Sequence, residues 1–232
     1  MALAKKKAIV SKLTSIEEMA GMDVLFSDKT GTLTKNKIVI AEISPYDHYT
    51  REDVLFYACL ASAKNGDPID KAIFDKIEES EDLSKKIEEY RTLKFNPFDP
   101  VRKSTEAEIE YKDEYKFSVS KGAPQVILSR LSDDDAEKNV CGLVDLFAEK
   151  GYRALGVAKT DEQCEWEFIG LITLYDAPRK TSKDTITRAK ALGIDVKMVT
   201  GDHIAIAKQT AKEIGLETNI DWLNSCRKRE KL

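Results

Sequence analysis

Two short strand-like segments, each closed by a turn rich in Thr, Gly and Asp, restrict what this chain can fold into more than any other feature. Val24-Leu25-Phe26 stops at Ser27-Asp28-Lys29-Thr30-Gly31-Thr32, and residues 194–199 run into Thr200-Gly201-Asp202. The first, short and continuous, reads as a strand buried on both faces and the second as another strand, together the pattern of a parallel sheet. Ligands of such a sheet sit beyond the carboxyl ends of its strands, so the two turns are expected to meet in space. Around the second run, Thr181 with Asp184 forms a capping-box pattern, and Ile186, Ala189 and Leu192 make a helical apolar stripe that stops at Gly193. Ile204, Ala207, Ala211 and Ile214 then recur at helical spacing, so this unit is helix, strand, tight turn, helix.

The residues between the two runs, roughly 140 of them, read as an inserted domain. Its pattern is α+β: helices near 51–63 and 68–79, a strand over 115–120 with Tyr, Phe and Val alternating, and another over 152–158. The expected division is 1–37 with 178–232 as one domain and 38–177 as the insert. Ser132-Asp133-Asp134-Asp135 reads as a surface turn.

Composition removes several classes. The 37 Lys+Arg against 41 Asp+Glu give a net charge of -4, without the clustered cations of a nucleic-acid binder. No apolar stretch approaches the roughly 20 residues that cross a bilayer, and Lys5, Lys6 and Lys7 precede no apolar signal core. The chain is therefore expected to be soluble by itself. Cys59, Cys141, Cys164 and Cys226 are scattered without a CxxC pair, which fits reduced thiols rather than a disulfide frame or a zinc site.

Asp28 closes the first strand beside Lys29, with Thr30, Gly31, Thr32 and Thr34 following. A carboxylate flanked by amides, hydroxyls and an ammonium suits in-line attack on a phosphoryl group, with Mg²⁺ offsetting the repulsion between anions. Asp28-Lys29-Thr30-Gly31 in isolation could equally be a turn in which Asp accepts backbone hydrogen bonds. The second turn favours the phosphate reading, because Thr200 supplies a hydroxyl and Gly201 lets the backbone approach an anion at a helix N-terminus. Asp202 reads as an N-cap in preference to a metal ligand.

Ser27-Asp28-Lys29-Thr30-Gly31-Thr32-Leu33-Thr34 resembles the phosphorylation motif of the P-type ATPases, and Met198-Val199-Thr200-Gly201-Asp202 their second phosphate-site motif. Lys121-Gly122-Ala123-Pro124 and Asp176-Ala177-Pro178-Arg179 are similar to the family's nucleotide-domain and hinge motifs, in the same order. Residues 16–25 and Pro97-Phe98-Asp99-Pro100-Val101 resemble the plasma-membrane proton pumps of plants, fungi and archaea. The resemblance implies an α/β, haloacid-dehalogenase-like Rossmann phosphorylation domain interrupted by an α+β nucleotide-binding domain. It implies an aspartate phosphorylated by ATP with Mg²⁺ during cation, and specifically proton, transport. By motif match Asp28 is the nucleophile and a Mg²⁺ ligand, and Thr30 offers the metal its carbonyl. Lys29 gives electrostatic stabilisation, while Thr200 and Gly201 hold phosphoryl oxygens.

The resemblance also implies an adenine pocket: Phe98 as the stacking ring, Lys103 after it, Lys121 and Gly122 closing a strand, Arg153 reaching the phosphates, Asp67 contacting adenine, and Arg179 at the hinge. Each has a structural alternative. Phe98 could be core, Lys103 and Lys121 solvated surface, Arg153 a salt-bridge partner, and Asp67 the N-cap of a helix with Pro68 at N1. His48 and His203 are isolated and are assigned no metal. A complete pump carries a later Gly-Asp-Gly-x-Asn-Asp-x-Pro segment with a lysine, a Thr-Gly-Glu actuator loop and transmembrane helices, none of which is in this sequence. The chain is therefore expected to be an incomplete phosphorylation domain that binds ATP with little turnover. Its expected partners are the pump's own membrane and actuator domains on the cytoplasmic face, with Trp222 and the last helix's apolar side exposed or packed against a neighbour. A free-standing haloacid-dehalogenase-type phosphatase is the alternative enzyme, against which Thr30 stands where such a hydrolase needs a carboxylic acid. A nucleotide-binding regulatory module without chemistry is the third reading.

Overall fold

A computed structural model describes residues 12, 14–64, 66–112, 115–131 and 134–219. Trp222, Cys226 and the first half of the 132–135 turn lie outside the described residues. The order is α1 (Thr14–Ala20), β1 (Val24–Asp28), β2 (Thr34–Pro45), α2 (Arg51–Leu60), α3 (Pro68–Ile77), α4 (Glu81–Glu88), β3 (Tyr90–Asp99), β4 (Ser104–Tyr111) and β5 (Tyr115–Gly122). It continues with α5 (Pro124–Leu128), α6 (Asp134–Glu149), β6 (Arg153–Thr160), β7 (Trp166–Pro178), α7 (Ser182–Ala191), β8 (Asp195–Val199) and α8 (Ile204–Ile214). None of these helices is long and apolar enough to cross a membrane.

β1 and β8 pair in parallel with Val24 opposite Asp195 and Asp28 opposite Val199, so the two strands end side by side and their turns meet. The expected burial of β1 on both faces does not hold: Phe26 is 70% exposed, and Val24 and Leu25 are also open. Its only sheet neighbour among the described residues is β8, and the core of this unit forms under β8 from Leu33, Ile186, Val196, Ala211, Ile214 and Leu216. Leu192 likewise leaves the predicted stripe and is 78% exposed, while Ile186 is buried. The Thr181 capping box does not form. Thr181 takes a right-handed helical conformation with no side-chain cap, and the Ser182 hydroxyl instead donates to the Leu33 carbonyl at 2.7 Å. Gly193, at φ +80, ends α7 as expected.

The other strands form a six-stranded antiparallel sheet in the order β2-β7-β6-β5-β4-β3. Helices cover both faces. On one, Val54 and Phe56 of α2 and Ile73 of α3 pack on Ile109, Val119, Val157 and Ile172. On the other, Ile127 of α5 and Val140 and Phe147 of α6 pack on Ala158 and Leu171. Each fully buried aliphatic side chain contributes about 1.5–3 kcal/mol by leaving water, so this sheet has its own apolar core. β2 and β7 are the two crossings between the sheets, and they run antiparallel with Thr34 opposite Pro178.

Candidate functional site

The loop after β1 is held from the β7 side. The Thr34 hydroxyl donates to Asp176 Oδ2 at 2.6 Å and accepts from the Gly31 amide at 3.2 Å, and the Lys37 amide donates to Asp176 Oδ1 at 3.2 Å. Arg179 donates to the carbonyls of Gly31 at 2.7 Å and Thr32 at 3.1 Å. Gly31 sits at φ +77, a conformation open to glycine at little cost. The result is a loop clamped from its far side, with the Asp28 side chain exposed beyond the strand end.

Lys29 is buried and forms an ion pair with Asp202, which is also paired with Arg153. One carboxylate thus joins the loop after β1, the turn after β8 and the first residue of β6. Burial pushes the Asp202 carboxyl up, but Lys29 and Arg153 outweigh it and hold the group below the ordinary carboxylate range. Asp202 is not the N-cap of α8. His203 takes that position, its Nδ1 accepting from the Ala205 amide at 3.4 Å, while the Asp202 amide donates to Thr200 Oγ1 at 3.2 Å.

A cleft of about 720 Å³ opens between the six-stranded sheet and the N-terminus of α8, within the size range of small-molecule sites. Phe98, Lys103, Lys121, Gly122, Arg153 and Asp67 all line it, as does Gly201. Asp28, Lys29, Thr30 and Thr200 are outside its lining, next to the Gly201 end. Arg179 is apart from it as well, committed to the loop carbonyls.

Phe98 is 53% exposed, so the core alternative for this ring does not hold. Its hairpin tip is shaped by Asp99, whose Oδ1 accepts from the amides of Val101 at 2.7 Å and Arg102 at 3.1 Å. Lys103 follows at φ +52, exposed. Gly122 lies so close beneath that a Cβ there would stand 2.5 Å from the Lys103 carbonyl oxygen. Lys121 is neither solvated nor free: it is 4% exposed, and its ammonium meets Asp70 Oδ1 at 2.7 Å and the Ala61 carbonyl at 2.6 Å. Burial pulls the Lys121 ammonium below its usual range despite Asp70. Asp67 caps α3, accepting from the amides of Ile69 at 2.9 Å and Asp70 at 3.0 Å, and faces the cleft too. The N-cap and salt-bridge alternatives for Asp67 and Arg153 are therefore realised inside the cleft lining.

Sequence reasoning missed Asp70 and the cleft positions of Asp145 and His203. A signal existed for Asp70, since Asp67-Pro68-Ile69-Asp70 carries two carboxylates at one helix start. Mg²⁺ keeps several waters and phosphate oxygens and needs only one or two carboxylates from a protein. No group of three Asp, Glu, His or Cys side chains gathers among the described residues to cage an ion. The exposed Asp28 carboxylate, which has no hydrogen bond or ion pair there, fits a Mg²⁺ shared with phosphate and water.

The sequence model of the haloacid dehalogenase-like hydrolases matches residues 22–228; the chain belongs to that family. Its relatives are more specific, as the phosphorylation motif led us to expect. The chain is 48% identical over 99% of its length to a protein of Methanocaldococcus jannaschii named "Putative cation-transporting ATPase". It is 40% identical over 94% of its length to Plasma membrane ATPase of Zygosaccharomyces rouxii and to Plasma membrane ATPase 1 of Saccharomyces cerevisiae. The chain spans 28%, 25% and 25% of the length of these relatives, about a quarter.

Proposed function

We propose that this chain is the ATP-binding and aspartyl-phosphorylation region of a P-type cation-transporting ATPase, and that the cation is the proton. The observation that carries the reading is the cleft, which gathers the exposed Phe98 ring, Lys103, Arg153 and Gly201 in one lining, beside the strand end bearing Asp28. Adenine stacks on Phe98, and the phosphates run along Lys103 and Arg153 toward the paired turns. An Asp28 carboxylate oxygen attacks the γ-phosphorus, and the bond to the bridging oxygen of the β-phosphate breaks. The acyl phosphate stays on Asp28 and ADP leaves with the bond's electron pair. Lys29, Thr200 and the Gly201 backbone stabilise charge on the phosphoryl oxygens. Mg²⁺, when bound through Asp28 and the Thr30 carbonyl, offsets the repulsion between carboxylate and phosphate. Thr30 cannot act as the acid that releases the phosphoryl group to water, so the acyl phosphate is long-lived.

In this reading 1–37 and 178–232 are the phosphorylation domain and 38–177 the nucleotide-binding domain. The region acts on the cytoplasmic face of a membrane beside the pump's membrane and actuator domains. Among the described residues Asp28 is the carboxylate at the paired strand ends without a partner, and in this reading the chain by itself binds ATP with little turnover. The test is titration with ATP and Mg²⁺ followed by acid quenching. We expect saturable binding and an acid-stable label absent from Asp28→Asn. Binding with no label would favour a regulatory module, release of phosphate from a generic phosphoester would favour a phosphatase, and brisk steady-state hydrolysis lost in Asp28→Asn would contradict the expected low turnover.

A further inference from the structure

Two of the three cations that line the cleft, Lys121 and Arg153, already hold a carboxylate. Lys121 meets Asp70 and the Ala61 carbonyl, and Arg153 shares Asp202 with Lys29, which stands outside the lining, so a phosphate that reaches Arg153 competes with that carboxylate. Lys103 is the cationic lining residue without an ion pair among the described residues, and it stands at the hairpin that carries Phe98. At the opposite end, where the turn after β8 meets α8, the lining consists of Gly201, Asp202 and His203. Asp202 is already neutralised twice, which leaves the imidazole as the polar side chain still open there.

The tautomer of that imidazole follows from its cap. Nδ1 accepts from the Ala205 amide, so the proton of the neutral ring is on Nε2. The ring is exposed, and its Nε2 meets no acceptor among the described residues. A side chain whose near nitrogen is anchored to the helix start presents its far N–H in a set direction. We infer that His203 is a nucleotide-binding residue whose Nε2–H donates to a phosphate oxygen of the bound nucleotide. The inference rests on the nucleotide reading of the cleft and adds a phosphate donor from the α8 side. Asp145 of α6, a cleft carboxylate with no partner among the described residues, gives no such donor and opposes an anion.

The experiment separates capping from binding. His203→Ser keeps an oxygen that can cap α8 but has nothing long enough to reach into the cleft. Calorimetric titration of the full chain with ATP and with adenosine should show an ATP affinity about tenfold lower in the serine variant, the scale of one hydrogen bond to a charged group. Adenosine affinity and melting temperature should be unchanged. Should the serine variant fold poorly, His203→Asn, another strong cap, takes its place, and in the wild-type chain the imidazole NMR resonances should move with ATP and stay with adenosine. Equal ATP affinities in variant and wild type, or equal losses for ATP and adenosine, would overturn the role of His203 while leaving the cleft's nucleotide reading intact. A folded wild-type chain that binds neither ligand would overturn both.

Discussion

Asp202 connects two cations far apart in the chain, Lys29 and Arg153, and both pairs depend on its being ionised. With its carboxyl held below the ordinary value near 3.9, the folded state binds that proton more weakly than the unfolded chain does. The stability it contributes is present above about pH 4 and is lost as pH falls through the depressed value. Asp202→Asn leaves the buried Lys29 ammonium without a counter-charge and should cost roughly 3 kcal/mol or more at neutral pH. Denaturation of both proteins across pH checks this: the difference should shrink below about pH 4, and a difference independent of pH would speak for lost packing instead. The sequence marked Asp28, Thr200 and Gly201 because their chemistry lies in contiguous motifs. It could not mark the partners of Asp202, since Lys29 and Arg153 come to it only through the fold, and it assigned the α8 cap to Asp202 where His203 takes it.

At the scale of elements, the site is built where β5 passes beneath the tip of the β3–β4 hairpin. Lys121 ties β5 to α3 through Asp70 and to the end of α2 through the Ala61 carbonyl. The next residue, Gly122, lets the hairpin backbone come down onto the strand. A methyl at position 122 would stand 2.5 Å from the Lys103 carbonyl oxygen and 2.7 Å from the Ser104 Cα, both backbone atoms. Gly122→Ala should therefore destabilise by about 1–3 kcal/mol and weaken ATP binding by displacing Lys103. Melting curves with a parallel titration check it, and an unchanged melting temperature would show that the hairpin yields freely. Helix α3 was legible because Asp67 with Pro68 caps its start, and α2 because its apolar run over 54–61 is longer than a strand needs; the fold adds a Thr50–Asp53 capping box at its start. β2 and β3 were not, since exposed charged residues such as Lys35, Lys37, Arg91 and Lys94 interrupt their apolar alternation. The capping-box pattern at Thr181 misled because Thr181 itself continues the turn of the helix it was expected to cap.

Across the whole molecule the cleft has two owners. Most of its lining, from Asp67 to Leu155, belongs to the antiparallel sheet and its helices, while Gly201, Asp202, His203 and Ile206 come from the turn after β8 and from α8. The paired crossings β2 and β7 hold these parts in register, with Thr34 and Asp176 bonded at 2.6 Å where the crossings begin. In the proposed reading, adenine recognition belongs to the six-stranded sheet and phosphate recognition to both parts, with Asp28 adjacent to their junction. The parallel pairing of β1 and β8 was visible in the two matching turns, whereas the exposure of Phe26 was not, because a run of apolar residues does not reveal how many strands flank it. Nucleotide in this cleft is the central claim, and Phe98 is its test residue because the half-exposed ring can be removed without opening the core. Titration of the wild-type chain and Phe98→Ala with ATP should show a loss of about 1–3 kcal/mol in binding, the scale of one base–aromatic stack, with circular dichroism unchanged. Equal affinities in two equally folded proteins would contradict the account.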